Sequence, residues 1–145
     1  GYFDGLTKQE AYEEYLEVIL ENIRFFPMFD VLAHIDYIVR NAPYPDPALY
    51  YREFSDHIDE ILKFLIETGH GLEMNTSSYS IVKFDGEILK RYKELGGEIV
   101  TIGSDAHGDG NVGQFFPEHI ELIKNSGFDY VAHYLDRKPV FDKIL

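Results

Sequence analysis

The segment EIVTI at residues 98–102 is the strongest strand signal in the sequence, because most of its residues are β-branched. An amphipathic segment at residues 85–95 precedes it and ends at two glycines, which predicts a helix followed by a turn. The polar segment GSDAH at residues 103–107 follows the strand directly. This part of the chain therefore predicts a helix, a buried strand and a polar loop in that order.

The same order of helix and strand recurs on both sides of this segment. We expect four helices, which begin at the capping box Thr7–Glu10, at the Asp46-Pro47 cap, at Asp85 and at Pro117. We expect four strands, at residues 29–35, 71–75, 98–102 and 128–134. Such alternation is typical of a parallel sheet covered by helices, which places the chain in the α/β class.

The number of strands is small for a closed fold of this class. Four βα units cannot close a barrel, and the usual length of a (β/α) barrel is about 250 residues. The chain has 145 residues and shows no repeat or linker. We therefore expect residues 1–145 to form one partial domain, which resembles half of a larger fold.

Composition excludes several classes of function. The chain carries 13 Lys+Arg against 26 Asp+Glu, a formal charge of −13, which argues against binding to a nucleic-acid backbone. It contains no Cys, which excludes disulfides, Cys-type zinc sites and thiol nucleophiles but leaves the compartment open. No apolar run has the length of a membrane span, and the first residues do not resemble a signal peptide. The chain begins with Gly, and we expect that its gene begins further upstream.

The sharpest chemical signal is the pair Asp105 and His107. Alternate residues of an extended segment face the same way, so the carboxylate and the imidazole can point at one centre. This pair of ligand types suits Zn, Mn or Fe. The alternative interpretation is that Asp105 caps a turn and His107 is an ordinary loop histidine.

Other polar residues lie at the predicted carboxyl ends of strands, where α/β folds collect their functional groups. His34 ends the first strand and either shares the metal site or is a hydrogen-bonded core residue, and Asp36 could orient its ring. Asn75 shares a strand face with Glu73 and either orients a ligand or forms a turn. Arg40 could meet an anionic substrate or form a surface salt bridge.

The remaining histidines are weaker candidates. We expect His57 and His119, which lie in predicted helices, to face solvent, and we regard His133 at the last strand end as a minor candidate. The residues thus predict a metal-assisted site for hydrolysis of an ester or phosphoester, without naming the substrate. The sequence contains no P-loop, nucleophile elbow or dinucleotide fingerprint.

Three segments together resemble a known family. They are DVLAHIDY at residues 30–37, LEMNTS at residues 72–77 and GSDAH at residues 103–107. In this order and spacing they resemble the C-terminal half of the PHP (polymerase and histidinol phosphatase) family, and its histidinol-phosphatase branch in particular. The resemblance extends over nearly the whole chain.

The resemblance implies a distorted seven-stranded (β/α) barrel with a trinuclear site of Zn, Mn or Fe. It implies that His34, Asp105 and His107 bind metal, that Asp105 and His107 serve catalysis, and that Asn75 lines the substrate pocket. Arg40 is a further candidate contact for phosphate. The implied reaction is hydrolysis of L-histidinol phosphate to L-histidinol and phosphate in histidine biosynthesis, by a cytoplasmic enzyme with no membrane or nucleic-acid partner.

The chain also departs from the family pattern. The family's N-terminal H-x-H motif is absent, and Ser78 and Tyr79 stand where relatives commonly carry Gly and Arg. We therefore expect no complete trinuclear site in this chain and little or no activity of the chain alone. The alternatives are a non-catalytic split or degenerate PHP module, which would bind a partner chain or a second copy through an exposed sheet edge, and another PHP phosphoesterase or nuclease.

Overall fold

A computed structural model describes residues 1–75, 83–103 and 116–144, without the side chain of Phe116. The helices are α1 (Lys8–Phe25), α2 (Ser55–Glu67), α3 (Gly86–Glu94) and α4 (Phe116–Asn125). The strands are β1 (Val31–Leu32), β2 (Gly71–Asn75), β3 (Val100–Gly103), β4 (Tyr130–Leu135) and β5 (Lys138–Lys143). Two short 3₁₀ helices, Tyr37–Asn41 and Tyr51–Glu53, lie between β1 and α2.

The central element is a parallel sheet in the order β1-β2-β3. Side chains along β2 alternate between its two faces. Leu72 and Met74 are fully buried in the main hydrophobic core, so Glu73 and Asn75 lie on the opposite face. Glu73 pairs with Thr101 of β3, which therefore shares that face. The parallel sheet thus has one apolar face and one polar face.

The helices bury their apolar sides in the same core. The helix side chains that are fully inaccessible to solvent include Leu16 of α1 and Ile58, Ile61, Leu62 and Leu65 of α2. The capping box predicted for α1 is confirmed, since Thr7 Oγ1 accepts from the Glu10 amide at 3.1 Å and Glu10 accepts from the Thr7 amide at 3.3 Å. The predicted positions of α3 and α4 are confirmed as well.

Two predicted boundaries are wrong. The helix predicted to begin at Asp46 begins at Ser55, and the Asp46 carboxylate instead accepts from the Ala48 amide at 3.4 Å in a local turn. The strand predicted at residues 29–35 is reduced to Val31–Leu32. His34 leaves the strand with φ of 56°, and its carbonyl accepts from the Tyr37 amide at 2.9 Å at the start of a 3₁₀ helix.

The expectation of a fourth parallel strand is also wrong. The segment forms β4, which pairs antiparallel with β5, a strand that the sequence did not predict. Asp136 and Arg137 connect them with φ of 50° and 63°, the geometry of a tight hairpin turn. Because this turn contains neither Asn-Gly nor Gly, it carries no strong sequence signal. The described residues therefore contain three parallel strands and one hairpin.

Within the described ranges, no helix is both long enough and apolar enough to cross a membrane.

Candidate functional site

The polar residues predicted at strand ends converge at one edge of the parallel sheet. Asn75 is the last residue of β2, and it pairs in register with Gly103, the last residue of β3. His34 follows β1 by two residues, on the other side of β2. The carboxyl ends of β1, β2 and β3 therefore bring His34 and Asn75 together, as the sequence predicted.

Three side chains at this edge are connected. The amide Nδ2 of Asn75 lies 3.3 Å from Nε2 of His34 and 3.2 Å from Oε1 of Glu73. Glu73 and Asn75 are both half-buried and project from the same face of β2. The sequence placed Asn75 and Glu73 on this face but did not assign Glu73 a role, since only the structure shows that its carboxylate contacts the amide.

The Glu73 carboxylate packs against Gly103 so closely that a side chain at this position would overlap with it. A Cβ atom at Gly103 would lie 2.7 Å from Glu73 Oε1 and 2.8 Å from its Cδ, well inside ordinary contact. In sequence, Gly103 leads directly into the segment that contains Asp105 and His107. Both of those candidate ligands lie outside the described residues.

The turn that carries His34 is held from helix α1. The hydroxyl of Tyr15 donates to the His34 carbonyl at 2.9 Å. Burial, followed by the nearby charge of Asp36, raises the pKa of Tyr15 well above its usual value, so the hydroxyl keeps the proton that it donates. The ring of Tyr37 meets the imidazole edge-on, with centroids 5.7 Å apart. These contacts stabilise a left-handed backbone conformation that non-glycine residues adopt rarely.

The candidate residues after His34 lie close to it. Asp36 is 8% exposed, and burial raises the pKa of its carboxyl, while a hydrogen bond from its own backbone amide and the charge of Arg40 act in the opposite direction. The Arg40 guanidinium lies over the Tyr37 ring, 4.9 Å from its centroid. Tyr37 therefore connects Arg40 to the imidazole. That Asp36 orients the His34 ring stays a prediction.

Comparison with known proteins now assigns the family. The family model described as PHP domain matches residues 1–77, more than half of the chain. This chain belongs to the PHP domain family.

Several relatives of this PHP chain are histidinol phosphatases by name. A probable histidinol-phosphatase of Clostridium acetobutylicum is 39% identical over 142 residues, which cover 96% of this chain and 52% of the relative. A histidinol-phosphatase of Lactococcus lactis is 31% identical over 134 residues, which cover 90% of this chain and 50% of the relative. This PHP chain thus spans about half the length of the curated relatives it matches.

A solved structure supports the same relationship. It is a histidinol phosphate phosphatase from Lactococcus lactis, complexed with Zn, L-histidinol and phosphate. It matches 98% of this PHP chain and 54% of its own chain, with a TM-score of 0.84 and 30% sequence identity. The expected α/β class is therefore confirmed, with a parallel three-stranded sheet and a backbone that matches a histidinol phosphatase.

The other histidines of the PHP chain lie in different surroundings. His57 Nε2 contacts Glu17 at 3.1 Å between α2 and α1, and His133 Nδ1 contacts Asp142 at 2.6 Å on the exposed hairpin. The expectation that His119 faces solvent is wrong, because it is 1% exposed. His119 lies one helical turn before the buried Ile123, so both face the core.

The donors at the sheet edge suit a metal of intermediate softness. The imidazole of His34 and the carboxylate of Glu73 both contact the amide of Asn75. Imidazole and carboxylate groups are ligand types that fit Zn, Mn or Fe. The neighbouring hydroxyl of Thr101 is buried and has no hydrogen-bond partner in the described ranges, so this face can take a polar ligand. Across residues 1–75, 83–103 and 116–144, no three His, Asp or Glu side chains are grouped to hold a metal.

Proposed function

We propose that this chain is the C-terminal part of a metal-dependent PHP phosphoesterase that hydrolyses L-histidinol phosphate to L-histidinol and phosphate in the cytoplasm. The observation that carries the proposal is the meeting of His34 and Asn75 at the carboxyl edge of the sheet, 3.3 Å apart. This edge belongs to a backbone that matches a histidinol phosphate phosphatase with a TM-score of 0.84. In the proposal, residues 1–145 form one partial domain and contribute half of a distorted seven-stranded barrel.

The metal ligands in this proposal are His34, Asp105 and His107. The imidazole of His34 is described at the sheet edge, and Asp105 and His107 follow Gly103 in the sequence. Bound divalent metal, whether Zn, Mn or Fe, supplies an activated water and neutralises phosphate charge. The protein then needs no nucleophile of its own, which agrees with the absence of Cys.

The substrate contacts in this proposal are Asn75 and Arg40. Asn75 presents its amide at the edge beside His34, where it can orient a bound phosphate ester. Arg40 carries a positive charge held on the Tyr37 ring, which itself contacts His34. A guanidinium that contacts the same Tyr37 ring as the imidazole can bind a phosphate oxygen beside the metal site.

We expect the chain alone to show little or no turnover. The PHP pattern includes an H-x-H motif that this sequence lacks, so the residues here supply part of a trinuclear site. The solved relative contains nearly twice the matched length. The same polypeptide should become active when the remaining part of a barrel is joined to it.

A second candidate function is a non-catalytic PHP module that binds a partner chain or a second copy. It is favoured by β1, which pairs with β2 on one side and, among the described residues, with no strand on the other. An open strand edge is a site where another chain can add. Size-exclusion chromatography with light scattering tests this candidate, and a stable monomer under all conditions would exclude obligatory partnering. The net charge of −13 disfavours a nuclease.

The experiment that tests the proposed reaction uses a chimera. This chain replaces the matching segment of the Lactococcus lactis phosphatase, and phosphate release from L-histidinol phosphate is measured with and without Zn²⁺ or Mn²⁺. We expect metal-dependent turnover that is lost in His34→Ala and His107→Ala and kept in the control His133→Ala. A folded chimera that binds Zn²⁺ and releases no phosphate would contradict the proposal, and rapid turnover by the chain alone would contradict the expected inactivity.

A further inference from the structure

We propose that Glu73 is a positioning residue, which sets the tautomer of His34 through the amide of Asn75. The three side chains form one connected group at the sheet edge, with Asn75 Nδ2 3.2 Å from Glu73 Oε1 and 3.3 Å from His34 Nε2. The consequence for metal binding rests on the proposed function. The orientation of the imidazole proton does not rest on it, because that orientation is inferred from the contacts that these three side chains make with one another.

The first step concerns the orientation of the Asn75 amide. The oxygen and nitrogen of an Asn side chain have nearly the same shape, so their assignment depends on the partners. A carboxylate offers only acceptors, and the atom that faces it must therefore be the amide NH₂. The Glu73 carboxylate thus holds the Asn75 nitrogen towards itself, and the Asn75 oxygen is turned away.

The second step passes this orientation to His34. The same Asn75 nitrogen lies 3.3 Å from His34 Nε2, and its NH₂ group has a second hydrogen to donate. A donor that faces Nε2 requires a lone pair there, so the neutral imidazole carries its proton on Nδ1. Nδ1 is buried, whereas Nε2 is directed at the amide on the polar side of the sheet.

The third step explains how the Glu73 carboxylate keeps its place. It packs against Gly103, where a Cβ atom would come within 2.7 Å of Oε1. The carboxylate therefore sits between the end of β3 and the amide of Asn75. Any larger residue at position 103 would displace the group that orients the amide.

The arrangement prepares His34 for a metal ion. A metal binds the unprotonated nitrogen of a neutral imidazole, and a hydrogen bond elsewhere decides which nitrogen that is. In this site the unprotonated nitrogen is Nε2. Asn75 covers it in the absence of metal and, still held by Glu73, can move aside when Nε2 becomes a ligand.

Nitrogen NMR of the metal-free chain tests the inference. Long-range ¹H–¹⁵N spectra of the ¹⁵N-labelled chain distinguish protonated from unprotonated imidazole nitrogens, and the spectrum of His34→Gln identifies the His34 signals. We expect His34 to be the Nδ1–H tautomer. The variant Asn75→Asp places a carboxylate opposite Nε2 and should reverse the tautomer to Nε2–H. The variant Glu73→Gln, whose amide can either donate or accept, should give a mixture of both.

The controls separate this inference from the proposed function. Glu67→Gln, at an exposed position at the end of α2, should leave the His34 tautomer unchanged, and circular dichroism verifies that each variant is folded. An Nε2–H tautomer in the wild-type chain, or an unchanged tautomer in both Glu73→Gln and Asn75→Asp, would overturn the inference. Added Zn²⁺ should shift the Nε2 signal, and a shift of Nδ1 instead would overturn it too. A complete failure to bind Zn²⁺ would count against the proposed metal site, while the tautomer result would still decide the role of Glu73.

Discussion

Replacing Gly103 by Ala should damage the site while leaving the fold nearly intact. The new Cβ atom would lie 2.7 Å from Glu73 Oε1, whereas ordinary contact begins at 3.4 Å, so the carboxylate must move by about 0.7 Å. Because this carboxylate is the end of a flexible, half-buried side chain, the move should cost about 1 kcal/mol of stability or less. The same Oε1 atom contacts Asn75 at 3.2 Å, close to the outer limit of a hydrogen bond, so moving it disturbs that contact.

The expected effect on metal binding is larger than the effect on stability. Loss of a group that orients a ligand typically weakens metal affinity by about 10-fold to 100-fold. We therefore expect Gly103→Ala to bind Zn²⁺ at least about 10-fold more weakly than the wild type, measured by competition with a chromophoric chelator. Urea unfolding of the same samples gives the stability change.

A matched control is available in helix α3. A Cβ atom at Gly86 would approach Leu122 Cδ1 to 2.9 Å, a similar overlap with the end of a flexible side chain, but at a helix–helix contact. Gly86→Ala should leave Zn²⁺ affinity unchanged. If Gly103→Ala keeps wild-type Zn²⁺ affinity, or if both variants weaken it equally, the role given to the Glu73 carboxylate is refuted.

Two further predictions concern stability away from the sheet edge. Burial above all raises the pKa of Tyr92 to about 12. The contribution of the protonated hydroxyl to the free energy of unfolding is therefore complete below pH 10 and is lost as pH rises through 12. Tyr92→Phe should lower the free energy of unfolding by about 1 kcal/mol at pH 8, because the 3.0 Å hydrogen bond to the Ile99 carbonyl is lost. In urea unfolding at pH 11 the difference between the two proteins should be smaller. An equal difference at both pH values would contradict the raised pKa of Tyr92. Burial acts to raise the pKa of Asp59, but hydrogen bonds from Arg91 and Tyr51 outweigh it and hold that pKa below its usual value. Asp59→Asn should therefore lower the urea midpoint at pH 7 and have less effect as pH falls below 4, whereas an equal effect at both pH values would exclude the ion pair as the cause.

Three of the four helix starts and the three strands of the parallel sheet could be predicted from the sequence because their signals are local. The Thr7 capping box and the Asp85 cap mark helix starts through side chains within three residues of the backbone groups they bind. The strand at residues 98–102 is similarly marked by its own β-branched residues. The convergence of His34 and Asn75 followed from one topological rule, that parallel strands share their carboxyl edge.

The features that were missed depend on partners distant in the sequence. Residues 128–134 look like a buried strand, but whether they join the parallel sheet or form the hairpin with β5 depends on an Asp-Arg turn without a strong signal. The short apolar run before His34 cannot show that the chain turns there, because the turn depends on contacts from Tyr15 and Tyr37. The contact of Glu73 with Gly103 depends on strand register, which periodicity alone does not specify.

The central claim is that His34, Asp105 and His107 are ligands of one metal site at the carboxyl edge of the sheet. Isothermal titration of the chain with Zn²⁺ tests it most directly, with each of the three residues changed singly to Ala and with His57→Ala and His133→Ala as controls on histidines paired elsewhere. The account predicts that each of the three changes weakens Zn²⁺ binding at least about 10-fold and that both controls bind as the wild type does. Wild-type affinity in the His34, Asp105 and His107 variants would contradict the claim.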